Sequence, residues 1–170
     1  MDFKEYIRVI EDFPQPGIRF KDISTLLKDA KAYRASIEEL AKMVKHHEID
    51  IVVGPEARGF VVGAPLALAL GAGFVPVRKL GKLPGETIQA EYSLEYGKDA
   101  LAMHKDAILP GQKVLIADDL LATGGTIATT INLVKQLGGI PVGAAFMIEL
   151  TYLDGRKKLD DIETVTLMQY

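Results

Sequence analysis

The sequence predicts an α/β fold with a mainly parallel central sheet flanked by helices, and three observations predict it. Short apolar runs rich in β-branched residues at 51–53, 74–77, 114–117, 142–148 and 165–168 read as strands buried on both faces. Helical stretches separate them, and strands that alternate with helices pair in parallel through crossover connections. Two runs, 51–53 and 114–117, pass directly into glycine-bearing loops and then into apolar residues at helical spacing. In such sheets a ligand sits in the crevice outside the carboxyl ends of the strands.

Taken in order, Phe3, Ile7 and Ile10 are spaced for a helix over 2–11, which Pro14 and Pro16 end. Ile37, Leu40, Ala41 and Val44 predict an amphipathic helix over 32–47. Residues 60–77 carry no charge over eighteen positions, which raises the question of a membrane span. Gly71 and Gly73 break the run after about eleven helical residues, roughly 16 Å against a hydrocarbon core of about 30 Å. We therefore expect a buried helix followed by a buried strand, and no membrane partner. The stretch 79–104 departs from the alternation, and its 87–94 portion suggests a flap of antiparallel strands. Beyond 117, Ile127, Ile131, Val134 and Leu137 define a helix that Gly138 and Gly139 stop.

No repeat or linker divides the 170 residues, so a single domain over 1–170 is expected. The chain lacks cysteine, which excludes disulfides, zinc-thiolate sites and a cysteine nucleophile and suits a reducing cytoplasm. A formal charge of -3 supplies no broad basic field for nucleic acid. The acidic start, Met1-Asp-Phe-Lys-Glu-Tyr6, does not read as a signal peptide.

The most informative segment is 114–126. Its apolar run ends in Asp118 and Asp119, whose ionised carboxylates are pure acceptors suited to the paired hydroxyls of a sugar. Gly124 and Gly125 let the backbone turn and bring N–H groups close to an anion, and Thr123 and Thr126 add hydroxyls. The helix that follows would offer that anion its N-terminus. In the second unit, 51–60, Gly54 and Gly59 have Walker A spacing, but Phe60 stands where its lysine belongs, and no G-x-G-x-x-G occurs. Arg58 offers a planar set of donors for phosphate oxygens. Arg78, Lys79 and Lys82 place three cations within five residues, at the edge where the other loops emerge. His46, His47 and His104 show no metal-ligand spacing and read as surface or helix-end residues.

The 114–126 segment resembles the binding motif for 5-phosphoribosyl 1-pyrophosphate (PRPP) of the type I phosphoribosyltransferases. Four loop segments together are similar to the adenine phosphoribosyltransferases. The resemblance implies a Rossmann-like core with a small N-terminal hood over 1–31 and a flexible loop over 79–104. It also implies that Asp118 and Asp119 hold the ribose hydroxyls and that Ala122, Thr123, Gly124, Gly125 and Thr126 hold the 5′-phosphate. Glu56, Ala57, Arg58 and Gly59 would form the pyrophosphate loop, joined by Arg78, Lys79 and Lys82, partly across a homodimer. The family often carries a further basic residue where Leu80 stands, so position 80 is left without a role. The segment 13–23 would bind the base, with Phe20 stacking on it and Arg19 and Lys21 reading its edge through their main chains. In 92–97, Glu95 would lie near the purine and Tyr96 would help close a lid that excludes water.

The implied activity is purine salvage: adenine and PRPP give AMP and pyrophosphate, with Arg58, Glu95, Asp118 and Asp119 as the catalytic set. The family runs it with Mg²⁺ held mainly by substrate oxygens and water, and no protein metal site is expected. Other readings are a phosphoribosyltransferase for hypoxanthine, guanine or xanthine, a PRPP-sensing regulator and a purely structural subunit. The regulator would need a nucleic-acid surface, and neither a helix-turn-helix segment nor basic charge is visible. The intact acids, glycines and Arg58 argue against the structural subunit.

Overall fold

A computed structural model of the chain describes residues 1–94, 97–159 and 162–170. Its first element corrects the sequence reading. In place of a helix over 2–11, a single 3₁₀ turn at Phe3–Tyr6, capped by the Asp2 carboxylate, leads into strand β1 (Arg8–Glu11). β1 pairs antiparallel with β2 (Arg19–Asp22), Arg8 opposite Asp22 and Glu11 opposite Arg19. The apolar spacing suited a helix, but Ile7, Val9 and Ile10 are β-branched and favour a pleated partner. Ion pairs close the ribbon at both ends: Arg8 Nε donates to Asp22 at 2.9 Å and Arg19 Nε to Glu11 at 3.0 Å. The connection turns at Asp12, with φ 54°, whose carboxylate accepts from Gly17 N at 2.8 Å.

A short helix α1 (Ser24–Leu27) precedes α2 (Ala30–Val44). Asp29 caps α2 by accepting from the N–H groups of Lys31 and Ala32. Strand β3 (Ile51–Pro55) then feeds α3 (Arg58–Leu70), Gly71 ends that helix in the left-handed conformation, and β4 (Gly73–Lys79) follows. The helix-then-strand reading of 60–77 thus holds, and among the described residues no helix is long and apolar enough to cross a membrane. β5 (Thr87–Leu94) and β6 (Gly97–His104) form the expected antiparallel flap. β7 (Lys113–Leu121), α4 (Gly125–Gln136), β8 (Ile140–Glu149) and β9 (Glu163–Gln169) complete the chain.

Seven strands form a sheet in the order β5-β6-β4-β3-β7-β8-β9. The five from β4 to β9 run parallel, and β6 joins β4 antiparallel at Arg78 and Lys79. Alternation along the central strands sends side chains to two cores. Val52, Leu115 and Met147 pack with Leu40 and Leu66 under α2 and α3. Val53 and Val114, with Ile116 and Phe146, meet Leu133, Val134, Ile127 and Ile131 of α4. Burial on both faces is why these strands read as continuous apolar runs.

The strands end unevenly, and this positions the site. β3 pairs with β7 from Ile51 opposite Val114 only as far as Val53 opposite Ile116, whereas β7 continues beside β8 as far as Leu121 opposite Glu149. Asp118 and Asp119 therefore do not follow the strand, as the sequence suggested; they lie within it. What ends at Ile116 is the pairing on one side, so the acids occupy an edge that opens a crevice.

Candidate active site

The crevice is a cavity of about 380 Å³ lined by Glu56, Ala57, Arg58 and residues 118–127. It joins the carboxyl end of β3 to the open edge of β7 and the start of α4. Close backbone approach brings the two loops together. A Cβ on Gly54 would stand 2.7 Å from Gly59 O, and one on Gly59 would stand 2.8 Å from the Pro55 ring and 3.1 Å from Asp118 Oδ1. The glycines that mimic a Walker A loop here serve helix–strand packing beneath the acids.

Asp119 is only 3% exposed. Arg58 Nε lies 3.0 Å from its Oδ2, near enough for an ion pair, but that oxygen receives no hydrogen bond from described residues. Asp118 Oδ1 accepts from Asp119 N at 2.8 Å. Burial pushes the Asp118 carboxyl well above its ordinary range, and the neighbouring Asp119 charge adds to this, against the pull of Arg58. Burial raises Asp119 too, with Arg58 opposing. Two carboxylates held this close, with one oxygen left without a donor, are costly when both ionise. Hydroxyl donors from a bound sugar would relieve that cost.

At the other end of the cavity, Gly124 takes φ 82° and α4 begins at Gly125. The first N–H groups of a helix have no intrahelical partner and carry the positive end of its dipole. Thr123 is exposed there, and Gly124 is buried. A Cβ on Gly124 would stand 2.5 Å from Gly155 O, and one on Gly155 would collide with Ala122 O. The loop thus interlocks with a distant backbone. Arg156 fixes that backbone by donating to both Glu149 oxygens, at 2.6 and 2.7 Å, while Glu149 also accepts from Gln169 at 3.1 Å and Thr166 at 3.3 Å. Sequence reasoning missed Glu149, Gly155 and Arg156, because only the parallel register of β7, β8 and β9 brings them to the loop.

Glu56 turns its carboxylate inward. It accepts from Lys79 N at 2.6 Å, and the Arg78 guanidinium lies 3.4 Å away. Burial opposes ionisation there, but the Lys79 N–H and Arg78 outweigh it and hold the carboxyl below its usual range. Glu56 thereby ties the pyrophosphate-loop candidate to the basic stretch. The Glu56–Ala57 peptide is cis. Lys79 Nζ lies 3.9 Å from Asp99, Lys82 is exposed in the loop and Leu80 is 47% exposed. None of Arg78, Lys79 or Lys82 lines the cavity itself.

Phe20, half-buried on β2, is reached through Arg58, whose guanidinium carbon lies 5.3 Å from the ring centroid. Phe13 packs edge-on against it at 5.2 Å. Arg19 and Lys21 alternate to the other face of the ribbon, Arg19 pairing with Glu11 and Lys21 placing Nζ 4.4 Å from the Tyr170 ring. β2 pairs with β1 alone, on one edge. Glu95 and Tyr96 lie outside the described residues.

An open crevice at strand ends, an acid pair with Asp119 buried and an anion-ready helix start define a phosphoribosyltransferase. The phosphoribosyl transferase domain model matches residues 23–167. An adenine phosphoribosyltransferase of Brevibacillus brevis is 69% identical over the whole of both chains. The crystal structure of the Thermoanaerobacter pseudethanolicus adenine phosphoribosyltransferase is 58% identical, with a TM-score of 0.96 over 99% of this chain and 98% of that one. That of Saccharomyces cerevisiae, complexed with adenine and an imino-altritol bisphosphate, is 41% identical, with a TM-score of 0.92 over 98% and 96%. The chain belongs to the adenine phosphoribosyltransferase family.

Proposed function

We propose that the chain transfers the 5-phosphoribosyl group of PRPP to adenine, giving AMP and pyrophosphate in purine salvage. One observation carries the reading: a single cavity holds an acid pair with a donorless oxygen, Asp119 Oδ2, and a helix N-terminus together, the two complements of a phosphorylated pentose. Asp118 and Asp119 accept from the ribose hydroxyls, and residues 122–126 wrap the 5′-phosphate with main-chain N–H groups and the hydroxyls of Thr123 and Thr126. Phe20 stacks on the adenine ring, with the main chains of Arg19 and Lys21 reading its edge.

The bond from C1′ to pyrophosphate breaks as N9 of the base approaches, and positive charge develops on the ribose. The acid pair stabilises that charge, while Arg58 steadies the departing pyrophosphate. Ala57 and Gly59 complete its loop, with Glu56 holding Arg78 and Lys79 in place and Lys82 adding charge from the exposed segment. Glu95 takes or hydrogen-bonds the proton that N9 surrenders, and Tyr96 helps close the lid over the reaction. The fit for Mg²⁺ rests on Asp118 and Asp119, hard anionic oxygens that include the donorless Asp119 Oδ2. When bound, such an ion would be held mainly by PRPP oxygens and water and would supply charge neutralisation on the leaving group. We also assign the working form as a cytoplasmic homodimer, testable by sedimentation equilibrium.

The deciding experiment incubates the protein with PRPP and Mg²⁺ and each of adenine, hypoxanthine, guanine and xanthine. AMP and pyrophosphate should appear in equal amounts with adenine alone. Preferred turnover of another base, or none, would overturn the assignment. Glu95→Gln should lower kcat/KM for adenine; an unchanged value removes Glu95 from the mechanism.

A further inference from the structure

The turn that ends α2 meets the start of β9 through three ligand-type side chains. His46 Nε2 and His47 Nε2 each lie 2.8 Å from Glu163 Oε2, and the three atoms fall within 4.8 Å of one another. The two imidazoles lie beside each other, ring centroids 4.1 Å apart and planes tilted by 40°. His47 N bonds back to Val44 O at 3.0 Å, so the turn that presents both rings is hydrogen-bonded to its helix. Beneath them Glu163 pairs with Gly143. A Cβ on Gly143 would stand 3.6 Å from His47 Nε2, so a longer side chain at 143 would fill the space the rings occupy.

We infer that His46, His47 and Glu163 form a binding site for a first-row divalent transition cation such as Zn²⁺, separate from the active site. The chemistry argues for that class. Two imidazoles and one carboxylate make a borderline donor set that suits Zn²⁺, Co²⁺ or Ni²⁺ and does not suit Mg²⁺, which takes oxygen. Four ligands about 2.0–2.1 Å from a tetrahedral zinc stand about 3.3 Å apart. The pairs now at 2.8 Å need open only slightly. Each Nε2 now close to the carboxylate must give up any proton it carries there, leaving the proton on Nδ1 and turning the lone pair to the metal. Water fills the remaining positions, since the side chains of His46 and Glu163 are about half exposed, at 56% and 46%. The site lies at the amino-terminal end of the β8–β9 pairing, where Gly143 meets Glu163, whereas the cavity opens at the carboxyl ends. Occupancy therefore links helix α2 to strand β9 without touching the reaction.

The test titrates chelator-stripped full-length protein with Zn²⁺ by calorimetry, without substrate. One Zn²⁺ should bind per chain, and Mg²⁺ should not compete. His47→Ala and Glu163→Gln should each weaken binding about tenfold or more, the scale on which even outer-shell partners change metal affinity, with circular dichroism and AMP formation unchanged. Asp118→Asn should bind Zn²⁺ as the parent does. Co²⁺ should give visible bands of a nitrogen-ligated ion that both substitutions abolish. Absence of saturable binding, binding that survives both substitutions, or binding lost with Asp118→Asn would overturn the inference.

Discussion

Two groups of carboxylates, with Glu149 and Asp119 buried and Asp118 half-buried, stand at the same end of the sheet and are treated in opposite ways. Glu149, 4% exposed at the end of β8, is met by both arms of Arg156 and by Gln169 and Thr166. The Arg156 hydrogen bonds lead in holding its carboxyl below the usual range, against burial. Asp118 and Asp119, a few residues away on β7, leave one oxygen, Asp119 Oδ2, without a donor among the described residues, and burial raises both. One acid is satisfied by its own chain and serves the fold; the other two wait for a ligand to satisfy them. Incomplete pairing at a buried position thus marks the binding site more clearly than acidity does.

The contrast can be broken by substitution. The largest effect is expected for Asp119→Asn: kcat/KM should fall about 10² to 10³-fold, the cost of losing a preorganised charge in an active site, while Tm stays level or rises. A Tm drop as large as that of Glu149→Gln would show that the pair supports the fold and would erase the distinction. Gly124→Ala should follow. Its φ of 82° and its approach to Gly155 give a side chain no room, so we expect a loss of about 2 kcal/mol in denaturant unfolding and a raised KM for PRPP. Arg156→Ala removes the main partner of Glu149 and should also lower stability by about 2 kcal/mol, with a smaller effect on kcat. Phe20→Leu should raise KM for adenine about tenfold, near the value of an aromatic contact beyond its area, and leave Tm almost unchanged.

The smallest effect is a difference of sign with pH. A raised carboxyl keeps its proton longer in the folded state than in the unfolded chain, so Asp118 costs stability as pH climbs above the ordinary aspartate range. A lowered carboxyl does the reverse: Glu149 contributes fully above the ordinary glutamate range, and the contribution is lost as pH falls through its folded value. Relative to the parent, Asp118→Asn should gain Tm as pH rises from acid to neutral, and Glu149→Gln should lose it. Curves that move together would sharpen the comparison into a single coupled network.

Much of this was legible along the chain, for a physical reason. Strands buried on both faces leave unbroken apolar runs, and loops at their ends leave acids and glycines in sequence, so 51–59 and 114–126 could be read locally. Residues 2–11 could not, because Phe3, Ile7 and Ile10 satisfy a helical period equally well. The strand is decided by β2, at residues 19–22, through ion pairs that no local pattern contains. The inward turn of Glu56 toward Lys79 was hidden for the same reason, as was the support of the phosphate loop by Glu149, Gly155 and Arg156. His46 and His47 looked idle because their partner, Glu163, lies 116 residues or more away.

The interlock of Gly124 with Gly155 bears on how this loop could be transplanted. A graft of residues 118–126 onto another α/β scaffold would carry the recognition chemistry but not its mould, since the shape of the turn is pressed from outside by a bare peptide some thirty positions downstream. The recipient would have to offer an equally naked stretch of chain, clamped by its own arginine–glutamate pair, before the borrowed turn could hold a phosphate.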